Sequence, residues 1–212
     1  MTTVPRAGED LFALAPVMPV VVLENAEDAV PLAQALVAGG LAGIEVTLRT
    51  PAALEAIARI AQEVPEAVIG AGTVVTTEQA EAAAKAGARF LVSPGSTPDL
   101  ARAMTDTGLP SLPGVATVSE AMALAEQGVT ALKFFPAEAS GGARFLKSLV
   151  GPLPRLRFCP TGGITVQSAP EYLSLPNVGC VGGSWLTPTE LVSEGRWDQI
   201  TALAREAAAL RS

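Results

Sequence analysis

Gly43-Ile44-Glu45-Val46-Thr47-Leu48-Arg49-Thr50-Pro51 holds an apolar, partly β-branched strand, Gly43–Leu48, that gives way to a hydroxyl residue followed by proline. An alanine-rich amphipathic stretch, Pro51–Glu63, comes next, and then a second apolar run, Ala67–Gly72. A strand, a helix and a strand in succession form a β–α–β unit, which makes the two strands parallel. The same alternation continues in both directions. Further strands are expected at Val17–Leu23, Arg89–Ser93, Pro110–Val115, Ala131–Phe135, Leu156–Pro160 and Val178–Gly182. Further helices are expected at Ala26–Ala38, Thr77–Ala86, Thr97–Thr107, Ser119–Glu126, Ala143–Leu149, Val166–Leu173 and Trp197–Leu210. Thr50-Pro51 and Thr97-Pro98 read as helix caps followed by a proline at the first helical position. Gly39, Gly87, Gly108 and Gly128 read as helix exits.

Eight such units predict a closed (β/α)8 TIM barrel, a single domain over residues 1–212, with a short N-terminal helix near Gly8–Leu14 closing one end. An open doubly wound sheet would expect a glycine-rich loop after its first strand. Here Leu23-Glu24-Asn25 follows instead, which favours the barrel.

The chain has 212 residues, 49% hydrophobic and 17% charged, enough to bury a large core. Its 14 basic and 21 acidic residues give a net charge of −7, which argues against nucleic acid as a partner. A local site can still bind a small phosphorylated anion. Histidine is absent, which removes Ser-His-Asp and Cys-His chemistry and His-ligated zinc. The two cysteines, Cys159 and Cys180, are too few for a disulfide scaffold and read as core. Mean hydropathy is +0.39, high enough to raise the question of a membrane span. The apolar run Ala13–Leu23 is interrupted by Pro16 and Pro19 and is shorter than the roughly 20 residues a spanning helix needs. Arg6, Glu9 and Asp10 at the amino end make a poor signal peptide, so a soluble cytoplasmic protein is expected.

Polar residues inside the strands need explaining, because parallel strands are buried on both faces. Alternation from Gly43 puts Ile44, Val46 and Leu48 toward the helices and Glu45, Thr47 and Arg49 toward the barrel axis. An acid and a base thus share the mouth of one strand. Lys133 sits in the apolar strand Ala131-Leu132-Lys133-Phe134-Phe135-Pro136. Desolvation disfavours the ammonium, so a neutral amine is expected near pH 7, as a Schiff-base nucleophile needs. A partnership with Glu45 is compatible with that role. Phe134 and Phe135 face opposite ways, Phe134 into the core and Phe135 beside Lys133. Lys85, at a helix end, and Lys147, on a short helix, read as surface cations. Thr73, after Gly70-Ala71-Gly72, offers a hydroxyl and an N–H to a small acid. Thr161-Gly162-Gly163-Ile164 and Gly182-Gly183-Ser184-Trp185 follow the last two strands, where barrels usually bind phosphate.

These segments, with Ser93-Pro94-Gly95, Lys133-Phe134-Phe135-Pro136-Ala137-Glu138 and Phe158-Cys159-Pro160-Thr161-Gly162-Gly163-Ile164, closely resemble the 2-keto-3-deoxy-6-phosphogluconate (KDPG) aldolase family, in order and over nearly the whole chain. The resemblance implies a class I (β/α)8 aldolase of the Entner–Doudoroff pathway, with no metal or organic cofactor, usually a homotrimer. Its substrate would be a 2-keto-3-deoxy sugar phosphate, cleaved to pyruvate and glyceraldehyde 3-phosphate; 4-hydroxy-2-oxoglutarate is a second implied substrate. By resemblance, Lys133 is the Schiff-base lysine and Glu45 the general acid/base. Arg49 and Thr73 would hold the pyruvate carboxylate near Pro94, Thr161 would lie by the substrate, and Gly162, Gly163 and Ser184 would hold the phosphate. Three alternatives stand beside this reading: an aldolase for the C4-epimeric 2-keto-3-deoxy-6-phosphogalactonate, a metal-assisted sugar-phosphate enzyme, and a non-catalytic sugar-phosphate sensor. The missing histidines count against the second, and a sensor does not need a desolvated lysine.

Overall fold

The computed structural model describes Pro5 and residues 7–211; Arg6 lies outside them. Among the described residues, nine strands are parallel to their neighbours: β1 (Val17–Val21), β2 (Gly43–Thr47), β3 (Val68–Gly72), β4 (Leu91–Val92), β5 (Ser111–Leu112), β6 (Gly114–Val115), β7 (Ala131–Phe134), β8 (Arg157–Pro160) and β9 (Val181–Gly183). The helices are α1 (Ala29–Ala38), α2 (Ala53–Glu63), α3 (Thr77–Lys85), α4 (Pro98–Asp106), α5 (Val118–Glu126), α6 (Gly142–Leu149), α7 (Ala169–Leu173), α8 (Thr189–Ser193) and α9 (Trp197–Ala208). A 3-10 helix over Gly8–Ala13 precedes β1, where the short first helix was expected.

The fold is α/β with a curled parallel sheet, and its hydrogen-bonding ladder differs from one unbroken ring of eight strands. Six strands run in the order β5-β4-β3-β2-β1-β9, and β6-β7-β8 form a separate three-stranded piece. The expected strand Pro110–Val115 divides at Pro113, which has no N–H to give to a ladder. Its first half pairs with β4, its second half with β7, and the Pro113 carbonyl accepts from the Lys133 N–H at 3.0 Å. Between β8 and β9 only the bridges Phe158↔Val178 and Thr161↔Gly182 form. Two residues, Cys159 and Pro160, lie between the bridges on one side and three, Gly179, Cys180 and Val181, on the other, so an extra residue in the second segment interrupts the pairing.

Alternation sorts the side chains into two layers. Ile44, Val46, Ile69, Ala71, Leu132, Phe134 and Phe158 point outward and pack against the helices in the larger core cluster. A smaller cluster lies within the curl: Leu11 and Phe12 of the 3-10 helix meet Met18, Val68, Phe90, Val92, Leu112, Ala131, Cys159 and Cys180. The inner face is thus apolar toward the amino ends of the strands. Toward their carboxyl ends it becomes polar, with buried Glu45, Thr47, Lys133 and Thr161.

Two local expectations are corrected. Thr97 caps α4, its hydroxyl oxygen accepting from the Leu100 N–H at 3.2 Å, but Thr50 does not cap α2. That helix starts two residues after Pro51, and the Thr50 hydroxyl instead donates to the Leu23 carbonyl at 2.5 Å, tying the β2 and β1 ends together. After α1 the left-handed residue is Gly40, with φ of +95°, while Gly39 stays right-handed.

Candidate active site

Glu45 stands on β2 beside Gly70 of β3 and Val20 of β1, and Lys133 stands on β7 between Gly114 of β6 and Cys159 of β8. The strands are on opposite sides of the curl. Their inward side chains cross it: Lys133 Nζ donates to Glu45 Oε1 at 3.1 Å, although 88 residues separate them. Glu45 is 2% exposed and Lys133 4%. Desolvating two ions costs several kcal/mol each, about what their attraction returns, so packing alone gives little reason to bury such a pair. The Phe135 ring centroid is 5.5 Å from Nζ and adds a polarisable wall. Gly72 makes the arrangement fit: the Glu45 carboxylate lies where a Cβ at residue 72 would stand.

Around this pair the structure brings most sequence-predicted residues to the carboxyl ends of the strands. Thr47 is buried, its hydroxyl donating to the Val21 carbonyl at 3.0 Å. Thr73 follows β3 with φ of +54°, the left-handed region that a β-branched residue avoids unless its surroundings impose it. It is the one non-glycine residue in that region among those described. Pro94 follows β4, and the turn is held by buried Ser93, whose hydroxyl oxygen accepts from the Gly114 N–H at 3.1 Å. Thr161 ends the β8 segment, 7% exposed, and bridges to Gly182, which places the β8 and β9 ends side by side. Gly162 and Gly163 take φ of +102° and +80° in the turn after Thr161, and Ser184 follows β9, exposed.

Arg49 lies beyond the end of its strand. β2 ends at Thr47, so alternation no longer orients residue 49; its guanidinium is exposed and has no hydrogen bond or ion pair among the described residues. The other two lysines match their surface reading: Lys85 pairs with Glu81 at 3.5 Å, and Lys147 is exposed. Cys159 and Cys180 are buried and unbridged. Among the described residues no group of three or more His, Cys, Asp or Glu side chains could hold a metal ion.

Sequence reasoning missed one arrangement. The buried Tyr172 hydroxyl of α7 donates to Glu138 Oε1 at 2.5 Å, next to the Gly162–Gly163 turn. Burial first, then the Glu138 carboxylate, push the phenol well above its ordinary value of 10.0, so it remains a donor. A lone tyrosine was visible in the sequence, but nothing local connects it to a residue 34 positions earlier.

The model of the KDPG and KHG aldolase family matches residues 9–203. The chain belongs to this family. A 2-dehydro-3-deoxy-phosphogluconate aldolase from Pseudoalteromonas atlantica is 52% identical, with 96% of this chain and 94% of the relative covered. A KHG/KDPG aldolase from Escherichia coli is 49% identical, with 95% of this chain and 94% of the relative covered. A KDPG aldolase from Legionella pneumophila, solved with pyruvate captured as a covalent carbinolamine, superposes with a TM-score of 0.93 at 47% identity, covering 95% of this chain and 98% of the other. As a KDPG/KHG aldolase family member, this chain carries a buried lysine and a buried acid in contact across the curl.

Proposed function

We propose that the chain is a class I aldolase that cleaves 2-dehydro-3-deoxy-6-phosphogluconate to pyruvate and glyceraldehyde 3-phosphate, with 4-hydroxy-2-oxoglutarate as a further substrate. The observation that carries this reading is the buried contact of Lys133 Nζ with Glu45 Oε1 at 3.1 Å. Moving one proton from Nζ to Oε1 leaves a neutral amine and a neutral carboxyl. The amine lone pair attacks the C2 ketone, the C=O π electrons move to oxygen, and a proton passes from nitrogen to that oxygen, giving a carbinolamine. Glu45 then protonates the departing hydroxyl, and water leaves an iminium ion. With its proton gone, the Glu45 carboxylate accepts the C4 hydroxyl proton, directly or through water. The C3–C4 bond breaks, its electrons flow into the iminium, and the aldehyde departs from an enamine. Glu45 returns the proton to C3, and hydrolysis releases pyruvate and Lys133. An acid/base so placed contributes roughly 10²–10⁴-fold.

The neighbouring roles follow from chemistry. The Arg49 guanidinium, unpaired at the mouth, matches a substrate carboxylate bidentately, with Thr73 and the Pro94 turn beside it. Phe135 walls the reacting carbon, and Thr161, whose backbone bonds to Phe134 and Ala137, lies by the substrate. Gly162, Gly163 and Ser184 hold the phosphate with backbone N–H groups and a hydroxyl. No metal or organic cofactor enters any step, so activity should survive EDTA.

The architecture that fits this site is one (β/α)8 barrel domain over residues 1–212. It is supported by the single residue, Pro113, between β5 and β6, and by the two bridges between the β8 and β9 segments. A homotrimer is consistent with the exposed Val22 and Val75, which follow β1 and β3, and the exposed Leu54 at the start of α2, and predicts a solution mass of three times 21.6 kDa. A cytoplasmic location accords with there being no helix long and apolar enough to cross a membrane among the described residues.

Borohydride reduction in the presence of pyruvate, followed by peptide mass spectrometry, tests the central step. A reduced pyruvyl adduct on Lys133, lost together with turnover in Lys133→Ala, is the expected result. An adduct on Lys85 or Lys147, or none at all, refutes it.

A further inference from the structure

The Glu138–Tyr172 contact takes no part in the chemistry above, yet it touches the turn assigned to the phosphate. Two backbone bonds lace the loop after β7 to that turn: Ala137 N–H donates to the Thr161 carbonyl at 2.8 Å, and Glu138 N–H to the Gly162 carbonyl at 3.1 Å. The Glu138 side chain then lies across Gly163, whose added Cβ would sit 2.7 Å from Glu138 Cγ. With φ of +80°, Gly163 is already in a conformation that side chains avoid, so the stem of Glu138 fills the space that a side chain there would occupy. The carboxylate itself is turned aside. Tyr172 OH holds Oε1 at 2.5 Å, and Oε2 lies near Gly142 at the start of α6.

An acid beside a phosphate site would ordinarily repel its ligand. Glu138 is itself exposed, but its Oε1 accepts from a phenol that is 1% exposed, which fixes the direction of the charge. We propose that Tyr172 and Glu138 are positioning residues that hold the Gly162–Gly163 turn in its anion-binding shape and aim the Glu138 charge away from it. The pair therefore governs recognition of phosphorylated substrate and leaves Schiff-base chemistry alone. This rests on the phosphate reading of that turn.

The test compares Tyr172→Phe and Glu138→Gln with wild type on two substrates, phosphorylated 2-dehydro-3-deoxy-6-phosphogluconate and unphosphorylated 4-hydroxy-2-oxoglutarate, with inorganic phosphate as a competing probe. In Tyr172→Phe, KM for the phosphorylated substrate and the inhibition constant for phosphate should each rise roughly tenfold, the worth of one charge-assisted hydrogen bond. Its kcat, and KM for 4-hydroxy-2-oxoglutarate, should stay within about twofold. Glu138→Gln keeps the stem and an acceptor for the phenol, so it should show a smaller rise. Equal losses on both substrates would reduce the pair to a structural contact and overturn the proposal. So would an unchanged phosphate inhibition constant in Tyr172→Phe when phosphate does inhibit wild type. Failure of phosphate to inhibit wild type would instead overturn the phosphate reading beneath it.

Discussion

A methyl group at Gly72 would overlap the Glu45 carboxylate, so this glycine decides where the acid sits relative to Lys133. Gly72→Ala should leave the backbone intact, since Gly72 is in regular β3, and push the carboxylate out of line. Misplacement of a catalytic group by about 1 Å costs about 100-fold, and kcat/KM should fall by that order with little change in the melting temperature. Unaltered kinetics would show that Glu45 has freedom the packing does not suggest. At this scale the sequence was most informative where alternation is strict. Glu45 and Lys133 each lie inside a regular strand, and their inward direction follows from the period of two. Arg49 lies two residues past the end of β2, where the period no longer applies, and its exposure could not be read from spacing. The link between Tyr172 and Glu138 joins helix α7 to the loop after β7 and has no local signature.

Among the elements, α5 shows how local chemistry sets a boundary. Thr117 Oγ1 accepts from the Glu120 N–H at 3.3 Å, and the Glu120 carboxylate accepts from the N–H groups of Ala116 and Thr117 at 2.8 and 2.9 Å. This capping box starts the helix at Val118. Thr117→Ala should cost about 1 kcal/mol, lowering the melting temperature by about 2–4 °C for a chain of this size. The hydrogen bond from the Ala116 N–H holds the Glu120 carboxyl below its ordinary value of 4.5. Its stabilisation is therefore present above that value and lost as pH falls through the lowered one. Solvent screening keeps it small. The melting-temperature gap between wild type and Glu120→Ala should close on acidification below about pH 4. Proline after threonine carried less information than it promised: it marked the start of α4 and missed that of α2, because the Thr50 hydroxyl is used by Leu23. Helix α8, Thr189–Ser193, went unseen because five residues are too few to display a helical period.

For the molecule as a whole, the 3-10 turn over Gly8–Ala13 fills the end of the curled sheet opposite the site. Leu11 is fully buried there against the inner apolar layer. Leu11→Ala should destabilise the fold by about 3 kcal/mol and lower the melting temperature by about 6–12 °C. Because Glu45 and Lys133 lie at the other end of the strands, KM and kcat below the transition should remain within about twofold. A parallel loss of activity at low temperature would show that the two ends are coupled. What the sequence by itself determined was local: the alternation of strands and helices, the inward faces of Glu45 and Lys133, and, through the missing histidines, the chemistry that is unavailable. These depend on period, caps and composition, each legible within a few residues. The tertiary structure alone decided the 3.1 Å contact across the curl, the seams at Pro113 and between β8 and β9, and the buttress behind the Gly162–Gly163 turn. Each joins residues far apart in the chain, and their separation is set by register, twist and packing of the entire sheet.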